Sequence, residues 1–201
     1  MEAAVAAILG AMDDLVEEIV ALGRGRDLAV LRPRDSEALL DDHAFEHEEF
    51  LPYWAELWPS GVALARAVAG RALKGARVLE LGCGLGLPSI AAARAGGRVL
   101  ATDWSPVAID LLHDNAARNG VELETATVSW FAPEPLLERA PFDLVLAADV
   151  LYERRNVAPL AELLPRLGGE VLLADPGRPP LGDFLARRPP VWARPPLYRL
   201  S

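Results

Sequence analysis

Apolar positions fall into two textures along the chain. In the first, Val5, Ile8, Met12, Leu15, Val16 and Ile19 recur at helical spacing. That predicts an N-terminal helix ending near Gly23, because glycine just past the last apolar turn is a common stop. Leu28 to Leu31 is a short apolar run that reads as a strand. An acidic segment from Asp35 to Glu56 follows and contains no Lys or Arg. It closes on the aromatic stretch YWAELWPSG, whose Pro59, Ser60 and Gly61 open a predicted helix running to about Ala69.

From Arg77 onward the texture is regular: short Val/Leu runs alternate with longer Ala/Leu-rich stretches, each joined by Gly, Pro or Asp. The predicted strands are Val78 to Leu81, Val99 to Thr102, Leu123 to Val128, Leu144 to Ala147 and Val171 to Ala174. Helices are predicted at about Leu87 to Ala95, Pro106 to Arg118 and Val157 to Leu167, the second stopped by Asn119-Gly120. Continuous apolar strands of this kind belong to parallel sheets covered on both faces by crossover helices. After Asp175 the prolines thicken and leave room for a brief helix and a closing hairpin of two short strands. The expected fold is α/β: a Rossmann-like, doubly wound, mostly parallel seven-stranded sheet with helices on both faces and an N-terminal helical extension. One domain over 1–201 is expected, with residues 1–50 as the helical and acidic extension and 51–201 as the core.

Composition narrows the function. A chain of 201 residues, 52% of them hydrophobic, can build one real core and one site. A net charge of −9 argues against nucleic acid, whose affinity rests on Lys and Arg neutralising phosphates. Cys83 is the single cysteine, which excludes an internal disulfide and a thiolate metal cluster and fits a reducing compartment. Acidic residues follow the opening apolar run at once, so no export signal is read. No apolar run has the length to span a bilayer, and the expectation is a soluble, cytoplasmic chain without a membrane partner.

The chemistry concentrates at VLELGCGLG, a buried strand followed by a Gly-x-Gly-x-Gly turn and a helix. Gly82 and Gly84 let the backbone approach a nucleotide-like ligand closely. A dinucleotide site prefers a third small residue where this chain has Leu87, so the pattern leans away from NAD. Glu80, two residues before Gly82, would repel a pyrophosphate but suits a cationic amino-acid moiety. Asp103 ends the second strand about twenty residues past the turn, where a carboxylate can accept both hydroxyls of a ribose. Trp130, after the third strand, can stack on an adenine, against the plainer reading of a core tryptophan. Trp54 and Trp58 lie four apart; Trp58 is the one expected at the ligand, with Trp54 packing inward.

VLELGCGLGLPSIAAARAGGRVLATDWSP resembles the first two strands of the class I, seven-strand S-adenosylmethionine-dependent methyltransferases. More narrowly, it resembles the lysine methyltransferase branch that includes bacterial proteins labelled as predicted nicotinamide methylases. PYWAELWPSG, Ser129-Trp130 and Asp149-Val150-Leu151-Tyr152 resemble three further motifs of that branch, and the likeness runs from Leu51 to Asp175. It implies S-adenosylmethionine as cofactor, with Trp58, Glu80, Gly82, Gly84, Asp103, Trp104, Trp130 and Asp149 at its site. It also implies Asp149 and Tyr152 as the residues facing the methyl acceptor, where the plainer readings are a helix cap and ordinary packing. The chain departs from the branch at Ser129, where the branch often has Asp.

The activity so implied is N-methylation, of a protein lysine first. A small-molecule amine is the rival acceptor, and a non-catalytic relative that binds the cofactor as an interaction module is the alternative of another class. The acidic segment could form a lip that draws in a cationic acceptor, or be a solvated face. His43-Ala44-Phe45-Glu46-His47 spells a zinc-protease pattern, but it lacks a third ligand, and no metal is expected.

Overall fold

The computed structural model describes residues 12, 14–23, 25–35 and 53–200. Its main body is one sheet of seven strands: β3 (Arg77–Leu81), β4 (Arg98–Asp103), β5 (Glu124–Thr127), β6 (Leu144–Ala148), β7 (Glu170–Ala174), β8 (Trp192–Arg194) and β9 (Leu197–Leu200). Their spatial order is β5-β4-β3-β6-β7-β9-β8. Neighbours are parallel from β5 through β7, and β9 runs antiparallel between β7 and β8. The predicted doubly wound, mostly parallel sheet and its closing hairpin are therefore present.

Among the described residues, six α-helices accompany the sheet: α1 (Pro59–Ala69), α2 (Leu87–Arg94), α3 (Pro106–Arg118), α4 (Glu134–Leu137), α5 (Val157–Leu167) and α6 (Pro180–Arg187). Alternation along each strand divides the core in two. Val78, Ala101, Leu144 and Leu146 face the layer of α1, α2 and α3, where Leu64, Val68, Ile90, Leu111 and Leu112 are buried. Leu79, Leu81, Leu100, Val145 and Ala147 face α4, α5 and α6, with Leu136, Leu160, Leu164 and Phe184. Each such leucine, fully withdrawn from water, contributes about 1.5–3 kcal/mol, so both faces need their helices. The short α4 was not foreseen, because four residues carry no periodicity.

The N-terminal helix requires correction. Residues Leu15–Val20 form strand β1, paired antiparallel with β2 (Leu28–Pro33) in a separate hairpin. Val16, Ile19 and Val20 are β-branched, and Gly23 and Gly25 take φ of 82° and 70° in the turn between the strands. The predicted stripe splits: Met12 and Leu15 pack against the core while Ile19 is 62% exposed, and on the partner strand Leu28 and Val30 are fully buried. Asn115 of α3 and Asn119, which caps that helix, complete the hairpin's edge. Asn115 accepts the Leu31 N–H at 2.6 Å and donates to the Leu31 carbonyl, and Asn119 does the same for Ala29. An otherwise unpaired strand edge is thereby satisfied. Val5, Ile8, most of the acidic segment and the His43 to His47 pattern lie outside the described residues. Among the described residues, no helix is long and apolar enough to cross a membrane.

The chain leaves β3 toward β4 and β5 on one side and returns through β6 toward β7 on the other. Ligands of open α/β sheets bind at such a reversal, beyond the carboxyl ends of the strands. Here the reversal lies between β3 and β6.

Candidate active site

The turn after β3 is held open by backbone geometry that only glycine tolerates well. Gly82 and Gly84 have φ of 64° and 48°. A Cβ on Gly82 would stand 3.1 Å from the Trp130 ring, and one on Gly84 would stand 3.0 Å from the Trp54 carbonyl oxygen. Both positions thus combine a left-handed backbone with a close neighbour. The turn is fastened to β4 by the Cys83 N–H, which donates to the Thr102 carbonyl at 2.9 Å.

Two carboxylates brace this turn from within the wall of the cavity. Glu80 is 1% exposed, and its Oε2 accepts the backbone N–H of Ser89 at 2.8 Å together with the Ser89 hydroxyl. Burial nevertheless pushes its pKa up to about 8, against the lowering effect of the two Ser89 bonds. Asp103, at the end of β4, accepts the Gly84 N–H through Oδ2 at 2.9 Å and the Ser105 N–H through Oδ1 at 3.0 Å. Burial raises its pKa as well, and the Ser105 and Gly84 bonds oppose the rise. A buried pair of this kind favours a cationic ligand group over an anionic one.

Asp149 follows β6 and is the one non-glycine residue with positive φ, 56°, among the described residues. Its N–H donates to the Ala174 carbonyl at 2.9 Å, which pins the backbone against β7. The side chain is 5% exposed; Oδ1 accepts the Arg178 Nε–H at 2.8 Å, while Oδ2 is buried without a hydrogen-bond partner. Tyr152 lies in the same loop, its ring 5.0 Å from that of Tyr53. Burial, aided by the charge of Glu153, pushes the Tyr152 phenol up to about 12, so near neutrality it stays protonated.

One cavity is lined by every residue expected at the cofactor or the acceptor: Trp58, Glu80, Gly82, Gly84, Asp103, Trp104, Trp130, Asp149 and Tyr152. Trp58 donates its indole N–H to the Tyr53 carbonyl at 2.7 Å. Trp54 is 6% exposed and belongs to the core, although its edge also reaches the cavity. Trp104, Trp130 and Tyr152 also line an adjoining hollow with Phe131 and Arg155, so these aromatics stand between two spaces.

Tyr53 and Arg178 were missed. Arg178 places its guanidinium carbon 5.2 Å from the centre of the Trp58 ring, and the turn carrying it is locked by Asp175, whose Oδ1 accepts the N–H groups of Gly177 and Arg178 at 2.8 Å each. No local pattern marks Arg178: only the pairing of β6 with β7, Ala148 opposite Ala174, brings the residues that follow the two strands together at the sheet's end.

Comparison with known proteins places this geometry in context. A model of the lysine methyltransferase family matches residues 48–173. The electron transfer flavoprotein beta subunit lysine methyltransferase of Xenopus laevis is 38% identical over 136 residues, covering 63% of this chain and 53% of that protein. The histone-arginine methyltransferase METTL23 of Mus musculus is 33% identical over 107 residues, 50% of this chain and 42% of that protein. The chain thus spans about half the length of the curated relatives it matches. Among solved structures, the T. thermophilus 16S rRNA methyltransferase in complex with AdoMet and guanosine aligns with a TM-score of 0.60 at 18% identity, over 93% of this chain and 50% of that one.

Proposed function

Because the chain belongs to the lysine methyltransferase family, we propose that it is an S-adenosylmethionine-dependent N-methyltransferase that modifies a protein lysine. The cofactor fits the donor set of the cavity. Gly82 and Gly84 leave the space a Cβ would fill, Glu80 and Asp103 are buried carboxylates suited to an ammonium and a ribose, and Trp130 offers a ring face for adenine. Trp58 and Trp104 would complete the enclosure. When bound, the cofactor supplies a methyl group already activated by its sulfonium.

The protein's own task is alignment. Positioning an amine in line with the methyl group and excluding water can lower the barrier by several kcal/mol, on the order of what pre-paid orientation gives in other reactions. Asp149 is the residue to hold the acceptor nitrogen, and the observation that carries this reading is its buried, unpartnered Oδ2 on a carboxylate that lines the cavity. An acceptor N–H would satisfy that oxygen. Tyr152, protonated near neutrality, serves as a wall and hydrogen-bond donor rather than as a base. The amine gives its proton to solvent water before it docks, and desolvation beside Tyr53, Trp58 and Tyr152 then favours the neutral, reactive form.

Radiolabelled S-adenosylmethionine incubated with cell extract and the purified protein tests the reading. Label is expected in protein bands, as methyl-lysine after hydrolysis. Asp149→Ala should reduce labelling at least roughly a hundredfold while calorimetric cofactor affinity stays within about threefold. Label confined to small solutes, or activity that survives in Asp149→Ala, would overturn it. A single-domain organisation belongs to the same proposal, supported by a seven-stranded sheet whose two faces are both covered and by the β1-β2 hairpin fastened to α3.

A further inference from the structure

The two oxygens of Asp149 are in unlike states. Oδ1 takes the Arg178 Nε–H at 2.8 Å, whereas Oδ2 is buried and accepts nothing. The arginine is held from two further sides. Asp175 fixes its backbone N–H, and the Trp58 ring lies beneath its guanidinium, 5.2 Å from centre to carbon. Gly177, with φ of 98°, allows the tight turn that aims it at Asp149. These contacts gather the loops following β6 and β7 and the start of α1 at one point, so Arg178 is held from three elements.

We propose that Arg178 is a positioning residue that sets the class of acceptor: by occupying Oδ1 it leaves a single carboxylate oxygen for the incoming nitrogen. A guanidinium engages a carboxylate best as a fork, through two parallel N–H···O bonds, whereas a primary amine or ammonium is a point donor that one oxygen satisfies. With Oδ1 taken, the site favours an alkylamine over an alkylguanidine. Arg178 also repels a second delocalised cation placed flat against Trp58, since the ring face is already covered. The inference rests on Asp149 facing the acceptor, but not on which macromolecule carries the amine.

The test is a ligand-observed NMR titration of the full chain with n-butylammonium and n-butylguanidinium, in the presence of S-adenosylhomocysteine. The chain with Arg178 should bind the ammonium at least about fivefold more tightly than the guanidinium. Arg178→Met should reduce that preference to less than about twofold, and Arg178→Lys, which restores a cation able to reach Oδ1, should regain part of it. Thermal melts of both variants identify any that is unfolded, in which case Arg178→Gln replaces Arg178→Met. Equal affinity for the two probes, no saturable binding of either, or a preference that persists in Arg178→Met overturns the proposal. If the preference holds while no label reaches protein lysine, the proposed activity fails and the role of Arg178 stands.

Discussion

Ser89 reaches Glu80 twice, through its backbone N–H at 2.8 Å and through its hydroxyl, and so ties the first turn of α2 to the end of β3. The glycine turn lies between those two points. Its shape is therefore set by a side-chain clamp as well as by glycine's freedom. The clamp does not fully compensate the burial of the carboxylate, which titrates at about 8 instead of near 4.5.

A raised carboxyl pKa makes stability fall with pH. Between about 4.5 and 8 the folded chain holds a proton on Glu80 that the unfolded chain has released. The stabilisation is complete below the lower value and is lost as pH climbs through the upper one. Melting temperatures of the ligand-free protein should decline across that window, and Glu80→Gln should flatten the decline. Asp103 and Asp175 shift in the same direction and add to the slope, so the difference between variant and parent isolates Glu80. Parallel curves for the two proteins would refute the assignment.

Cofactor binding at neutral pH should expel that proton. A cation brought beside Glu80 favours its ionised form. Calorimetry in two buffers of different ionisation enthalpy should report release of up to about one proton per cofactor at pH 7, and close to none for Glu80→Gln.

Trp130→Ala should weaken cofactor binding by roughly tenfold, the loss of about 1–1.5 kcal/mol of ring contact. Because the Trp130 ring also lies against Gly82, Trp130→Phe should recover most of the affinity. A calorimetric dissociation constant that is unchanged in the alanine variant would return Trp130 to the core.

Gly84→Ala should destabilise the fold by about 1–2 kcal/mol, the expense of an L-residue at φ 48°. The new methyl would also press on the Trp54 carbonyl, 3.0 Å away, so the turn must shift and cofactor affinity should fall with stability. Denaturant melts and calorimetry measure the two effects separately.

Asp175→Ala and Asp175→Asn should differ. The alanine variant leaves the N–H groups of Gly177 and Arg178 without their acceptor, at about 1–3 kcal/mol. Asparagine keeps the Oδ1 acceptor and removes a charge that burial already disfavours, so it should retain most of the parent stability. Equal melting temperatures for the two variants would contradict this account of the turn.

The core was legible because its signals are local and redundant. Leu144 to Ala147 is a continuous apolar run and Val78 to Leu81 is broken only by Glu80, and α3 and α5 begin and end at the predicted residues Pro106, Arg118, Val157 and Leu167. The N-terminal segment misled because Leu15, Val16 and Ile19 satisfy a helical spacing by accident over one turn; the pairing with β2 that decides the matter is not encoded in that spacing. The members of the cavity from Trp58 to Tyr152 could be named since each stands at the end of a strand, shortly past one, or at the opening of a helix. Arg178 could not, because its meaning depends on the register that sets Ala148 beside Ala174. Asp149 was foreseen as a carboxylate in the site but not as half of an ion pair.

The left-handed backbone at Asp149 also bears on how this chain would respond to selection. An aspartate with φ of 56° gives up roughly 1 kcal/mol relative to glycine at the same place, but glycine would strand Arg178, whose Nε–H the aspartate accepts. Laboratory evolution for heat resistance alone should therefore drift toward asparagine, which tolerates the left-handed backbone and keeps an oxygen for Arg178, yielding hardier but inert descendants. Screens that couple survival to methyl transfer should instead keep the aspartate and collect their gains elsewhere.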